Sequence, residues 1–118
     1  MTTARLDDHP DACPCRGMLE LLSTRWSALA IEELETGPLR FGEIRRALAG
    51  VTPKVLTTTL RRLEDAGLVS RTVIPAVPLH VEYELTELGA SAAVPLAALR
   101  LWAELNTHDS TPAASVSA

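Results

Sequence analysis

Apolar positions recur along this chain with helical spacing in five segments and with strand-like alternation in two. Met18, Leu19, Leu21 and Leu22 mark a first helix starting near Cys13–Arg16. Trp26, Leu29, Ala30 and Leu34 mark a second, which Gly37-Pro38 stops. A third helix is expected from about Arg40, with Phe41, Ile44 and Leu48 on one buried stripe. Ala49-Gly50-Val51 reads as a turn. Thr52 is then a good N-cap, and Pro53 suits the first helical position, where a missing N–H costs nothing. The fourth helix runs to about Ala66, with Gly67 as its stop signal. Leu68–Ile74 and Val81–Leu85 alternate or are β-branched, and Pro75 and Pro78 stiffen their connection. Thr86 caps a last helix reaching about Asn106, where Leu88, Ala92, Leu96, Leu99 and Ala103 give an apolar face with Trp102 beside it. Pro95 is expected to kink this helix.

Helix, turn, helix, then two strands joined by a tight loop is the order of a winged helix-turn-helix. The expected fold is therefore α+β, mainly α, with a two-stranded β-wing and with N- and C-terminal helices that dimerise. On a helical wheel, Leu56, Leu60 and Leu63 of the fourth helix fall within about 60° of one another, and Thr59 lies close enough to that seam to pack. Lys54, Thr57, Thr58 and Arg61 cluster on the far side. Short hydroxyls and long cations opposite a leucine seam are what entry into a major groove requires, because they reach base edges and phosphates. The candidate DNA-contacting set is Arg40, Thr52, Pro53, Lys54, Thr57, Thr58, Arg61, Arg62 and, on the wing, His80. The last helix carries more apolar surface than one small core needs. Leu19, Leu22, Leu96, Leu99 and Trp102 are accordingly candidates for a homodimer interface.

Charge sharpens this picture. The net charge of −4 is the wrong sign for a nucleic-acid binder, but Arg40 to Thr72 holds seven bases against three acids, or +4, leaving −8 for the remainder. A local phosphate-facing patch on an acidic body has that pattern. At 118 residues the chain is expected to be one domain over 12–106, between a flexible arm (1–11) and a disordered tail (107–118). No apolar run approaches the roughly 20 residues of a membrane span, and the N-terminus lacks a signal-peptide core. These features point to the cytoplasm and to no membrane partner.

The residues also carry a family resemblance. Cys13-Pro14, Trp26 at the opening of the second helix, and the run GPLRFGEIRRALAGVTPKVLTTTLRRLEDAGLVSRTVIPAVPLHVEYELTELG resemble the HxlR-type winged-helix transcriptional regulators of bacteria, which share an architecture with MarR-like regulators. The resemblance spans roughly Cys13 to Trp102. It implies a homodimer that sets two recognition helices and two wings on a pseudo-palindromic double-stranded operator, more often as a repressor. It makes Thr52–Ala66 the base-reading helix and gives Arg40 a backbone contact. Two positions depart from the family pattern. Ser23-Thr24-Arg25 stands where Gly-Gly-Lys is common, and His80 stands where the wing often has Arg. A histidine of ordinary pKa is mostly neutral at pH 7, which weakens the wing's expected contact.

Cys13 and Cys15 are the only thiols. By the resemblance, Cys13 matches a thiol with which some members sense oxidants or electrophiles. A helix's first turn lowers a thiol's pKa, Arg16 assists, and Asp7, Asp8 and Asp11 oppose. The alternative is a small residue packed at the dimer seam. His9, Cys13 and Cys15 match no usual zinc spacing, so neither metal nor cofactor is expected. Two further readings stay open: a small-molecule effector held between the dimer helices, with Trp26 and Trp102 as candidate walls, and a winged-helix module for an acidic protein partner. No catalytic triad, phosphate-binding glycine loop or carboxylate pair has a credible setting, so no enzymatic activity is expected.

Overall fold

The computed structural model describes residues 14–107, which form five helices and one three-stranded antiparallel sheet. In chain order these are α1 (Pro14–Leu22), α2 (Arg25–Leu34), β1 (Leu39–Arg40), α3 (Phe41–Ala47), α4 (Pro53–Asp65), β2 (Val69–Ile74), β3 (His80–Leu85) and α5 (Glu87–Asn106). Cys13, the N-terminal arm and the tail beyond Thr107 lie outside the described residues.

The boundaries of α4 follow from local chemistry. Thr52 Oγ1 accepts from the Val55 amide at 3.2 Å, and Pro53 opens the first turn. At the other end, Gly67 adopts φ +80°, so the Leu68 amide donates to the Leu63 carbonyl at 2.9 Å and the Gly67 amide to Glu64 at 3.0 Å. This pair of bonds is a Schellman motif, and its customary apolar contact is supplied by Leu63 and Leu68, both buried. Gly50, at φ +94°, supplies the matching left-handed step between α3 and α4.

The sheet has one more strand than the sequence suggests. Leu39 and Arg40 form β1, which pairs antiparallel with β3 through Leu39↔Tyr83 and Arg40↔Glu82. β3 is therefore the central strand, in the order β1-β3-β2. Its other edge pairs with β2 from Val69↔Leu85 out to Ile74↔His80. The third helix accordingly starts at Phe41, one residue later than expected. Its entry is fixed by Glu43 Oε1, which accepts from the Arg40 amide at 2.8 Å.

The core is a cluster of aliphatic side chains where α2, α3 and α4 meet the base of the sheet: Ile31, Ile44, Leu56, Leu60, Leu63, Leu68 and Val69 are all but fully enclosed. Each such side chain contributes roughly 1.5–3 kcal/mol of transfer free energy. Met18, Leu21 and Trp26 cover its edge from α1 and α2.

α5 corrects two expectations. Its fully buried residues are Gly89 and Ala93, which the sequence reading did not single out; of the stripe it did read, Ala92 and Leu96 pack half-buried against the core, whereas Leu88 and Leu99 are exposed. The helix also runs twenty residues, through Pro95, with a mean hydropathy of 1.2 over its most apolar window, long and apolar enough by composition to cross a membrane. The expectation that no run approaches that length does not hold. Within the domain, however, α5 is tied to α2 by an ion pair, Arg100 Nε to Glu32 Oε1 at 3.1 Å, and Arg100 also meets Glu104 at 3.3 Å. Donating this hydrogen bond to the Glu32 carboxylate raises the pKa of Arg100 above its already high ordinary value.

Candidate nucleic-acid interface

The caps of α4 set its rotation, and rotation decides what it shows to solvent. With Leu56, Thr59, Leu60 and Leu63 turned into the core, Lys54, Thr57, Thr58 and Arg61 are all exposed on the opposite arc. Thr59 packs, as its wheel position suggests. Thr52 and Pro53 are exposed at the N-terminal end of the same helix. Among the described residues, Lys54, Arg61 and Arg62 enter no ion pair. Arg71, by contrast, lies 3.9 Å from Glu64, which offsets part of the basic count taken from the sequence.

Arg40 is exposed and sits at the junction of β1 and α3. Arg62 lies on the flank of α4 that faces α1 and α2, where it borders two clefts, and not on the arc of Lys54 and Arg61. His80 is the first residue of β3, immediately after the wing tip. Its side chain is half-buried, with Nε2 3.5 Å from Glu82 Oε2 two residues along the same strand face. A neighbouring carboxylate is an unfavourable companion for a phosphate contact. The tip itself, Pro75 to Leu79, is exposed and carries no charged side chain.

Arg45 and Arg46 are absent from the candidate set drawn from the sequence, where they enter only the basic count over Arg40 to Thr72. In the structure they are exposed in the last turn of α3 and, with Gly50, Thr52 and Pro53, border a cleft of about 440 Å3 beside the start of α4. Cations and an uncompensated helix N-terminus around one concavity suit an anionic backbone. The charge count over Arg40 to Thr72 was the signal that could have found them.

The dimer candidates divide. Leu19 (65% exposed), Leu99 (62%) and Trp102 (63%) are open to solvent, whereas Leu22 and Leu96 are half-buried against the protomer's own core. Leu88, Val94, Leu101 and Leu105 extend the exposed apolar surface along α5. Trp26 lines two clefts and stacks beneath the Arg25 guanidinium at 4.6 Å, while Trp102 borders neither of those clefts. Cys15 is exposed in the first turn of α1. Among the described residues no cluster of His, Cys, Asp and Glu is arranged to hold a metal ion.

Comparison with known proteins accounts for this geometry. A family model described as HxlR-like helix-turn-helix matches residues 21–111. The HTH-type transcriptional regulator YtfH of Escherichia coli K12 is 42% identical over 96 residues, covering 81% of this chain and 76% of that protein. Among solved structures, the transcriptional regulator ytfH of Salmonella typhimurium superposes with a TM-score of 0.76 at 41% identity, covering 83% of this chain and 88% of the other. The redox regulator HypR in its oxidized form superposes at 0.73 with 35% identity, covering 80% and 97%.

Proposed function

The chain belongs to the HxlR-like helix-turn-helix family of DNA-binding transcriptional regulators, and from that premise we propose that it represses transcription as a homodimer whose response is gated by the thiol of Cys13. The carrying observation is the exposed, unpaired arc of Lys54, Thr57, Thr58 and Arg61 on a helix whose rotation is fixed by its caps. Two such helices, one per protomer, would enter successive major grooves of a pseudo-palindromic operator. Arg40, Arg45 and Arg46 would anchor the phosphates, supplying affinity that falls with salt. The exposed leucines of α1 and α5, with Trp102, would pair two copies. The protein acts in the cytoplasm, on chromosomal DNA, and performs no catalysis of its own.

Two things support redox gating: the likeness to HypR, a redox regulator solved in an oxidized form, and the position of Cys13 in the sequence directly before Pro14 and Cys15, which open α1. Two Cys13 thiols, one from each protomer, would give up two electrons and two protons to the oxidant and form one disulfide, turning the recognition helices relative to each other.

The test is fluorescence anisotropy with the duplex upstream of this gene, on reduced and diamide-treated protein, with Cys13→Ser alongside. Salt-sensitive binding that oxidation changes only when Cys13 is present is the expected result. Binding indifferent to diamide would reject the thiol gate and keep the regulator. A second reading, gating by a small molecule, is favoured by a cleft beside the recognition helix itself.

A further inference from the structure

Among the described residues, Ser27 and Thr59 are buried without a hydrogen bond to either hydroxyl, and both residues line the same cleft. Ser27 is 1% exposed and Thr59 9%, yet neither hydroxyl makes a hydrogen bond among the described residues. Neighbouring Ser and Thr side chains do bond to backbone: Ser23 donates to Glu20, Thr24 to Leu21 and Ser91 to Leu88. A buried hydroxyl left unsatisfied is costly, and native structures seldom keep two without use. Ser27 and Thr59 line a cleft of about 300 Å3 between the first turn of α2 and the flank of α4, the size of a small ligand pocket.

The rest of the lining gives the ligand's chemistry. Lys54 and Arg62 stand at its edge, and neither is ion-paired among the described residues. The N-terminus of α2 opens on the same space. Thr24, its N-cap, uses its hydroxyl on Leu21 and so leaves the first amides of α2 without a side-chain cap, in the turn whose Thr24, Trp26 and Ser27 line the cleft. Trp26 and Val55 supply apolar walls. Two hydroxyl donors, two cations and a helix N-terminus call for an anion, and the walls call for a carbon skeleton beside it.

We propose that this cleft binds a small amphipathic carboxylate, aromatic or branched, whose oxygens accept from Ser27 and Thr59 while Lys54 and Arg62 balance its charge and Trp26 packs against its apolar part. The site deepens the small-molecule reading of gating and rests on the assignment of α4 as the DNA-reading helix. Lys54 and Thr58 border the cleft and also belong to the groove-facing arc. Ligand and operator therefore compete for the same cation, and binding of one weakens the other by an equal factor.

The probe is sodium benzoate at constant ionic strength, with benzyl alcohol as its neutral counterpart. Trp102→Phe leaves Trp26 the only indole, and its fluorescence reports occupancy without DNA. Saturable quenching by benzoate, and none by benzyl alcohol, is expected. Ser27→Ala and Thr59→Val should each weaken benzoate by about tenfold or more, because each removes a hydrogen bond to a charged group. Both variants should melt no lower than the parent, since they delete an unsatisfied hydroxyl, whereas a purely structural hydroxyl would lower the melting temperature. In a separate titration, benzoate should weaken the operator complex of the parent and not of Ser27→Ala. No saturable response to benzoate, an equal response to benzyl alcohol, or undiminished affinity in both hydroxyl variants overturns the proposal. If benzoate binds as expected but no duplex does, the site stands and the DNA-reading assignment falls.

Discussion

Gly89 packs its bare α-carbon against the carbonyl of Leu68, so closely that an added β-carbon would overlap the Leu68 oxygen and press on Leu85 Cδ2. The contact is made where Thr86 Oγ1 accepts from the Gly89 amide at 3.0 Å and donates to the Gly67 carbonyl at 2.6 Å. One residue thus caps α5, closes the end of α4 and lets α5 lie on the start of β2. Gly89→Ala favours the helix locally by about 1 kcal/mol. The clash is with backbone, which yields little, so the net effect should be a loss of about 1–3 kcal/mol in urea unfolding. Amides of α5 should lose protection from hydrogen exchange before those of α4.

Gly67 is a different case, since its constraint is backbone conformation and its surroundings leave room. At φ +80° a β-carbon costs roughly 1–2 kcal/mol. Gly67→Ala should lower unfolding stability by about that amount and Gly67→Asn by less, because Asn tolerates the left-handed region better.

Arg61 lies on the exposed arc of α4 and enters no ion pair among the described residues. Arg61→Ala should therefore leave stability nearly unchanged. It should cost roughly 1–3 kcal/mol of operator affinity if the guanidinium reads a base edge. Competition with a scrambled duplex checks the role. Equal losses on both sequences would assign Arg61 to the phosphate backbone.

Leu99 and Trp102 are more than half exposed on α5. Changing both to Glu removes little from the protomer's own core, so the far-ultraviolet spectrum should be retained. In the proposed dimer, carboxylates placed at these positions would meet their copies and should raise the dimer dissociation constant by about tenfold or more. Sedimentation equilibrium reads that change. A species that remains fully dimeric at the lowest concentrations would place the interface elsewhere.

Much of the DNA-facing architecture is legible in the sequence because its determinants are local. Thr52-Pro53 and Gly67 bracket α4 by capping chemistry alone, and Leu56, Leu60 and Leu63 then fix which face is left outside. β1 escapes such reading. Two residues show no alternation, and their partners Tyr83 and Glu82 stand more than forty positions away. α5 misleads for another reason. It is apolar nearly all round, so periodicity has little contrast, and the close backbone approach at Gly89 puts Gly89 and Ala93 deepest, with Ala92 and Leu96 beside them. The pairing of Ser27 with Thr59 joins two helices, and nothing in either local sequence marks it.

The short ladder between β1 and β3 reaches beyond the two residues it orders. It bolts the wing's central strand to the residue that opens α3, while the chain passes from α4 into β2 through a single tight cap. The wing is thus no independent flap. The protomer is built like a caliper, with the recognition helix as one jaw and the wing as the other. In the proposed dimer, accommodation to sites of different spacing would come from bending of the DNA or from the angle between two protomers, and that angle is where a signal would have leverage.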